Sequence, residues 1–198
     1  MTPRPDVSEE RRNQILDAAT EVFTQKGFQK ARMDDIVERA KLSKGTLYWY
    51  FKSKDEIILG IFDRIFGDDL PVLKLLAKEN QPAMERLRAY LDQNIRSLKW
   101  MLGFAPLSLE FLSLAFRHKY FREAFQRYLE RHLELLVSII QQGIDSGEFR
   151  AADAEEVAIT LSAIFEGTIL LWVYDSTRID PEAHIRSGVD MLLEGIRA

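Results

Sequence analysis

The sequence predicts an all-α protein in two parts, a three-helix head over residues 1–52 and a larger helical body over residues 53–198. Three observations carry that prediction. No segment alternates apolar and polar residues with period two between turn signals, which leaves no candidate strand. Apolar residues recur instead at three- and four-residue spacing along most of the chain. Helix punctuation falls between those stripes, with Ser8, Ser43, Ser53, Asp153 and Asp180-Pro181 at starts and Gly27 and Gly147 at ends.

The first helix starts at Ser8, carries Glu9 and Glu10 in its first turn and the stripe Ile15, Ala18, Ala19, Val22 and Phe23, and ends at Gly27. Residues 1–7 read as an arm; Arg4, with Arg11 and Arg12 beyond it, either reaches a nucleic-acid backbone or minor groove or is solvated charge. A second helix, Met33 to Ala40, opens on Asp34 and Asp35 and has Ile36, Val37 and Ala40 as its apolar edge. Lys41-Leu42-Ser43 is a tight connection, and Ser43 caps a third helix that must stop near Phe51 or Lys52. Ser53-Lys54-Asp55-Glu56 is a capping box opening a fourth helix to residue 66. Its Ile57, Ile58, Ile61, Phe62 and Ile65 are more apolar than an exposed helix needs, which makes it the natural lever between head and body. Gly67-Asp68-Asp69-Leu70-Pro71 breaks it. In the body, Pro82 opens a helix to about Met101, Gly103 and Pro106 bound a break, and a helix follows from about Leu107 to His118. A long amphipathic helix then runs from Phe121 through Ile144 to Gly147. Asp153 with Glu156 caps the next, and Asp180-Pro181 starts the last, with Ile185, Val189, Leu192, Leu193 and Ile196 as its stripe.

The stretch Leu42 to Lys54 carries Lys44, Lys52 and Lys54 and no acid, in a chain of net charge −4, and holds Tyr48-Trp49-Tyr50 at its centre. Leu47 and Phe51 are four apart and take the inner face, so three consecutive aromatics cannot all be head core. Lysines neutralise phosphates and tyrosine hydroxyls donate to phosphate oxygens. Gly45 in the first turn lets a backbone come close. Thr46 offers a hydroxyl and a methyl to base edges, and Lys54 sits at a helix N-terminus that itself favours an anion. The candidate nucleic-acid contacts are therefore Ser43, Lys44, Gly45, Thr46, Tyr48, Trp49, Tyr50 and Lys54, while Lys52 serves equally well as a plain surface lysine. Two short helices joined by this turn read as a helix-turn-helix whose second helix enters the major groove.

Ser43-Lys44-Gly45-Thr46-Leu47-Tyr48-Trp49-Tyr50-Phe51-Lys52-Ser53-Lys54 resembles the signature of the tetracycline-repressor-like (TetR) family of transcriptional regulators. Ile15-Leu16-Asp17-Ala18-Ala19 and Phe23-Thr24-Gln25-Lys26-Gly27-Phe28 resemble that family's first helix and the turn after it. The resemblance is specific over about residues 10 to 56 and rests beyond that on length and helical layout. It implies a helix-turn-helix DNA-binding head, a C-terminal ligand-binding and dimerisation domain with an inducer site, and a double-stranded DNA operator as partner. Two positions depart from the pattern. Arg32 stands where the family has threonine and cannot cap the second helix as threonine would; Lys41 stands where the turn has glycine and must adopt a left-handed conformation at some cost.

Composition narrows the rest. A chain of 198 residues with 46% hydrophobic content is globular. The absence of cysteine excludes disulfides, thiolate metal sites and a cysteine nucleophile. His118, His132 and His184 are far apart, and no GxSxG, P-loop or dinucleotide fingerprint occurs, so no metal, no cofactor and no enzymatic activity are expected. The N-terminus lacks a signal-peptide core, and the densest apolar run, Thr168 to Tyr174, is too short to span a bilayer, so a cytoplasmic protein with no membrane partner is expected. Residues 1–55 hold eleven basic and nine acidic residues against sixteen and twenty-two in the remainder, a mildly basic head on an acidic body.

The last two helices, near residues 153–175 and 181–197, are more apolar than a monomer's outer layer, and a two-fold dimer through a four-helix bundle is expected there. Trp100, Phe104, Phe111, Phe165 and Trp172 are candidate lining for a ligand cavity, though each alone is as well explained as core. Glu110, on a strongly apolar helix, either anchors a cationic or hydroxylated ligand or is a solvated carboxylate. The sequence thus describes a homodimeric, ligand-responsive DNA-binding regulator, a repressor released from a pseudo-palindromic operator by a small apolar or amphipathic effector. The alternative is a DNA-binding activator, or a dimeric DNA binder without a small-molecule inducer.

Overall fold

The computed structural model describes residues 7–67, 70–78 and 80–198, without the side chains of Val7, Phe66, Leu70, Trp100 and Met101. The expectations for Arg4 and for Asp68 and Asp69 lie outside the described residues, as does the side chain of Trp100. The chain is helical: α1 (Val7–Lys30), α2 (Met33–Ala40), α3 (Lys44–Tyr50), α4 (Lys54–Phe66), α5 (Leu70–Leu76), α6 (Ala83–Gly103), α7 (Ala105–Arg117), α8 (Lys119–Asp145), α9 (Ala154–Tyr174) and α10 (Pro181–Ile196). Among the described residues the β pairing is an isolated antiparallel bridge between Phe149 and Arg197.

The caps explain most of the boundaries. Asp153 accepts hydrogen bonds from the Glu155 and Glu156 N–H groups at the start of α9, and Asp180 accepts from Ala183 N–H with Pro181 in the first turn of α10. Gly27 (φ 73°, ψ 161°) breaks α1, but helical conformation resumes to Lys30. The helix α5 was not anticipated. Its Pro71 sits in the first turn, where a proline starts a helix as readily as it breaks one. The break expected between α6 and α7 shrinks to Phe104.

Packing groups the helices into two compact units: the described residues up to Ile65 together with Pro106–Ala124, and Phe66–Ala105 together with Phe125–Ala198. A division at residue 52 does not describe this packing, because α4 and the 106–124 segment cluster with the N-terminal helices. In the first unit, Ile15, Leu16, Ala19, Ile36, Leu47, Ile57 and Phe111 are completely buried. Gln14 Nε2 donates to the Ala40 carbonyl at 2.8 Å, tying α1 to the end of α2. A Cβ on Gly60 of α4 would fall 2.9 Å from Leu16 Cδ2 and 3.3 Å from Phe51, so only glycine permits that approach without a shift.

In the second unit, Leu73, Leu136, Ile139, Ile140, Ala158, Ile185 and Leu193 are completely buried. Glu148 accepts from the Ala83 and Met84 N–H groups at 2.6 and 2.8 Å, so the N-terminus of α6 is capped from the far end of α8. Gly143 lets Phe149 and Ala83 lie directly against α8. By length and composition α9 is apolar enough to cross a membrane. The uninterrupted run Thr168 to Tyr174 is too short for that, but the helix as a whole, Ala154–Tyr174, is not. Ile159, Leu170, Leu171, Val173 and Tyr174 on α9 and Met191 on α10 are exposed in the single chain.

Candidate nucleic-acid interface and effector cavity

The α3 helix is short, and its orientation is fixed by its ends. Ser43 Oγ accepts from Thr46 N–H at 3.0 Å, as expected of a cap, and also lies 2.8 Å from Thr46 Oγ1. Lys52 Nζ donates to the Tyr48 and Trp49 carbonyls at 2.9 and 3.4 Å, closing the C-terminal end. Inside that frame Leu47 is completely buried and Phe51 is nearly so, with the Arg12 guanidinium 5.3 Å above the Phe51 ring. The opposite side is left outside. Ser43, Lys44 and Gly45 are exposed, Tyr48 is 37% and Trp49 66% exposed, and Thr46 and Tyr50 are half-buried. Trp49 and Tyr50 pack edge to face at 4.6 Å, which holds both rings in place.

The turn before α3 is built as the sequence demands. Lys41 adopts φ 54°, ψ 42°, the left-handed conformation, and is the one non-glycine residue with positive φ among those described. The Arg32 side chain makes no cap hydrogen bond; Asp35 instead accepts from Arg32 N–H at 2.8 Å. Lys26, donating to Asp35 at 2.8 Å, and that backbone bond hold the Asp35 carboxyl below its usual range. Lys44 pairs with Asp34 at 2.8 Å, which raises the ammonium above its usual range; both side chains are largely exposed, so a phosphate can replace Asp34 at little cost.

Lys54 differs from what its position at a helix N-terminus suggests. Its ammonium turns inward and donates to the Phe28 carbonyl at 2.5 Å, to Ala31 at 3.1 Å and to Gln29 at 3.5 Å. It gathers the carbonyls left open where α1 ends, so its first task is to bind α4 to that end. Glu110 serves the same joint from the other side. Its Oε2 accepts from Phe28 N–H at 2.6 Å, and its Oε1 lies 3.1 Å from where a Cβ on Gly27 would be. Phe111 next to it is completely buried, with Phe28 and Phe62 rings at 5.0 and 5.5 Å. Glu110 and Phe111 are thus placed in the first unit, Glu110 with a backbone partner rather than in a cavity.

The second unit contains a cavity of about 110 Å³ between three helices. It is lined by Tyr90 and Asn94 of α6, by Tyr128, Leu129, His132 and Leu136 of α8, and by Leu161, Ser162, Phe165, Glu166 and Ile169 of α9. The His132 ring lies 5.9 Å from Tyr90 and 5.7 Å from Tyr128. Asn94 Nδ2 donates to the Tyr90 carbonyl and Ser162 Oγ to the Ala158 carbonyl, so the buried amide and the half-buried hydroxyl are committed to their own helices. Partial burial of its carboxyl pushes Glu166 above its usual range, although the residue as a whole is exposed in the single chain. Of the residues proposed as lining from sequence, Phe165 is there; Phe104 and Trp172 are half-buried elsewhere in the unit. Sequence reasoning missed Tyr90, Asn94, Tyr128, His132 and Glu166. The signal was present as polar and aromatic pairs four apart, Tyr90 with Asn94 and Tyr128 with His132, set into otherwise apolar helix faces. Among the described residues no three His, Asp or Glu side chains are grouped as metal ligands.

A family model for bacterial regulatory proteins, tetR family, matches residues 15–61, and one for BetI-type transcriptional repressors, C-terminal, matches residues 83–194. The chain is 34% identical over 147 residues to the HTH-type transcriptional regulator YfiR of Bacillus subtilis (strain 168), covering 72% of this chain and 69% of that one. It is 27% identical over 186 residues to the fatty acid metabolism regulator protein of the same organism, covering 92% of this chain and 94% of the relative. The crystal structure of the transcriptional regulator FadR from Bacillus subtilis in complex with stearoyl-CoA has the same fold, with TM-score 0.76, 27% identity and coverage of 93% and 99%. These relatives are transcriptional regulators, not enzymes.

Proposed function

The chain belongs to the TetR family of helix-turn-helix transcriptional regulators, and from that premise we propose that it is a cytoplasmic, homodimeric repressor that leaves a pseudo-palindromic operator when a small apolar or amphipathic effector occupies the α6–α8–α9 cavity. The observation that carries the reading is the two-sidedness of α3, with Leu47 completely buried and Trp49 66% exposed on a helix seven residues long. An exposed, ring-packed tryptophan beside Tyr48 and Lys44 has no stabilising task in the head and suits a phosphate backbone and its bases. Ser43, Gly45, Thr46 and Tyr50 complete the reading surface, and Lys54 contributes by fixing α4 under it.

The dimer is supported by the exposed apolar side of α9 and by Met191 of α10. An apolar helix face of this size on a cytoplasmic regulator calls for a second copy. A two-fold dimer sets its two α3 helices against successive major grooves, about 34–36 Å apart. Effector binding then acts by population shift, favouring dimers whose heads cannot both engage one operator.

Selection of bound duplexes from a random pool tests the whole reading. It should return a pseudo-palindrome with half-sites about one helical turn apart. Trp49→Ala should lose most of that binding while its melting temperature stays within about 1 °C of the parent, since the side chain buries little. Full binding by Trp49→Ala, or no enriched sequence, would remove α3 as the reader. Leu171→Glu should yield monomers by sedimentation and lose tight operator binding; a dimer that survives it would move the interface elsewhere.

A further inference from the structure

The cavity is lopsided in charge. Its eleven lining residues include one carboxylate, Glu166, and no lysine or arginine. Three of the eleven, Tyr90, Tyr128 and Phe165, present aromatic rings, and His132 lies within ring-contact distance of both tyrosines. Leu129 of α8 lines the cavity and also reaches solvent, so a ligand can extend outward past it.

Resting on the effector-responsive reading above, we infer that the effector is an organic cation, an amine or quaternary ammonium on an apolar body, with its charge shared between the Glu166 carboxylate and the faces of Tyr90, Tyr128 and Phe165. A cation leaving water must recover its hydration energy, and an anion beside aromatic quadrupoles supplies it in this cavity. The carboxylate also benefits. It lines the cavity with no lysine or arginine beside it, and a cationic ligand supplies the missing counter-charge. An anionic head group, whether carboxylate or phosphate, meets a like charge here and no lysine or arginine to answer it. The chain resembles a regulator solved with stearoyl-CoA, yet no lysine or arginine lines the cavity to hold such a ligand's phosphates.

The test compares head groups on one body. Hexyltrimethylammonium, hexylammonium, hexan-1-ol and hexanoate, with stearoyl-CoA as a fifth ligand, are titrated calorimetrically into the full-length protein and its Glu166→Gln variant, and each is scored for release of the selected operator. The cations should bind about tenfold or more tighter than the alcohol, with hexanoate weakest, and E166Q should bring cation and alcohol to within about threefold of each other. The trimethyl compound binding as well as the primary amine assigns the ring faces as the main contact; the primary amine alone assigns the carboxylate. Hexanoate or stearoyl-CoA binding more tightly than either cation would overturn the cationic class, as would E166Q keeping the full preference while melting no lower than the parent. Operator release by hexan-1-ol, hexanoate or stearoyl-CoA but not by the cations would refute the class and leave the effector-responsive reading standing. Binding and release by none of the five would refute both.

Discussion

The joint at Glu110 gives a test that needs neither DNA nor ligand. The carboxylate accepts from Phe28 N–H at 2.6 Å, directly after the break at Gly27, and is half-buried. Replacing it with alanine leaves a backbone N–H of the head without its acceptor. A hydrogen bond to a charged group contributes about 1.5–3 kcal/mol, and partial exposure puts this one near the lower end, so Glu110→Ala should cost about 2 kcal/mol. Glu110→Gln keeps an acceptor oxygen but not its charge and should lose about half as much. In a chain of this size each kcal/mol lowers the melting temperature by about 2–4 °C, so E110A should melt about 4–8 °C lower and E110Q about 2–4 °C lower. Both are measured by circular dichroism at one fixed protein concentration, because the melting point of the proposed dimer would depend on it. Hydrogen exchange supplies the local readout: the peptide containing Phe28 should exchange faster in E110A, and peptides from α9 and α10 should not. If E110A melts within about 1 °C of the parent and exchange at Phe28 is unchanged, the carboxylate is not holding the head to the 106–124 segment.

Three further outcomes are expected. Lys41→Gly relieves a left-handed lysine at φ 54°, which costs about 1–2 kcal/mol, against the greater chain entropy of glycine; the variant should gain about 0.5–1 kcal/mol, and a melting point equal to or below the parent's would refute the strain. Gly143→Ala improves helix propensity by about 1 kcal/mol, but its Cβ would fall 2.8 Å from Ala83 Cβ and closer still to the Phe149 ring; overpacking should win by about 1–3 kcal/mol, and a higher melting point would show that α8 and Phe149 have room to move. Glu166, raised by burial, favours its protonated form in the folded state. It therefore costs stability at neutral pH and ceases to do so as pH falls through its folded value toward the unfolded one. Glu166→Gln should melt higher than the parent at pH 7 and no higher below about pH 4. Tyr90, Tyr128 and His132 line the same cavity, so the same pH series is run on a His132→Gln variant as a control.

What was legible in the sequence was whatever a few adjacent residues decide. Ser43 caps α3, Lys41 is left-handed, Arg32 fails to cap, and Leu47 and Phe51 turn inward; each follows from side-chain chemistry and helical period within one turn. The family followed from the same segment. Partners distant in sequence were not legible. Lys54 looked free for phosphate because nothing nearby in sequence offers it an acceptor, yet its acceptors lie 23 to 26 residues upstream. Glu110 looked like a ligand anchor because its own helix is apolar, while its partner is 82 residues away. The cavity was misjudged for a related reason. Large aromatics were counted as lining, whereas Phe111 fills a core, and the space left open is bounded by residues whose pairing across α6, α8 and α9 no single helix announces. α5 was lost because Pro71 was read as a stop rather than a start.

The placement of Phe111 bears on how the chain is made. A ribosome releases residues 7–65 long before residue 111, yet the head's core includes that ring, completely buried against Phe28 and Phe62. During synthesis the nascent head waits with an apolar gap and an unanswered Phe28 N–H until the segment ending near residue 124 has emerged. An excised fragment ending at residue 65 would carry every residue of the reading helix and still lack part of its own interior. Such a fragment should be short of stability by about 3–5 kcal/mol, the usual loss on emptying a phenylalanine site. Cutting the gene at the family's DNA-binding segment is therefore a poor way to make a minimal operator binder; joining residues 1–65 to a supplied 106–124 peptide restores what the cut removes.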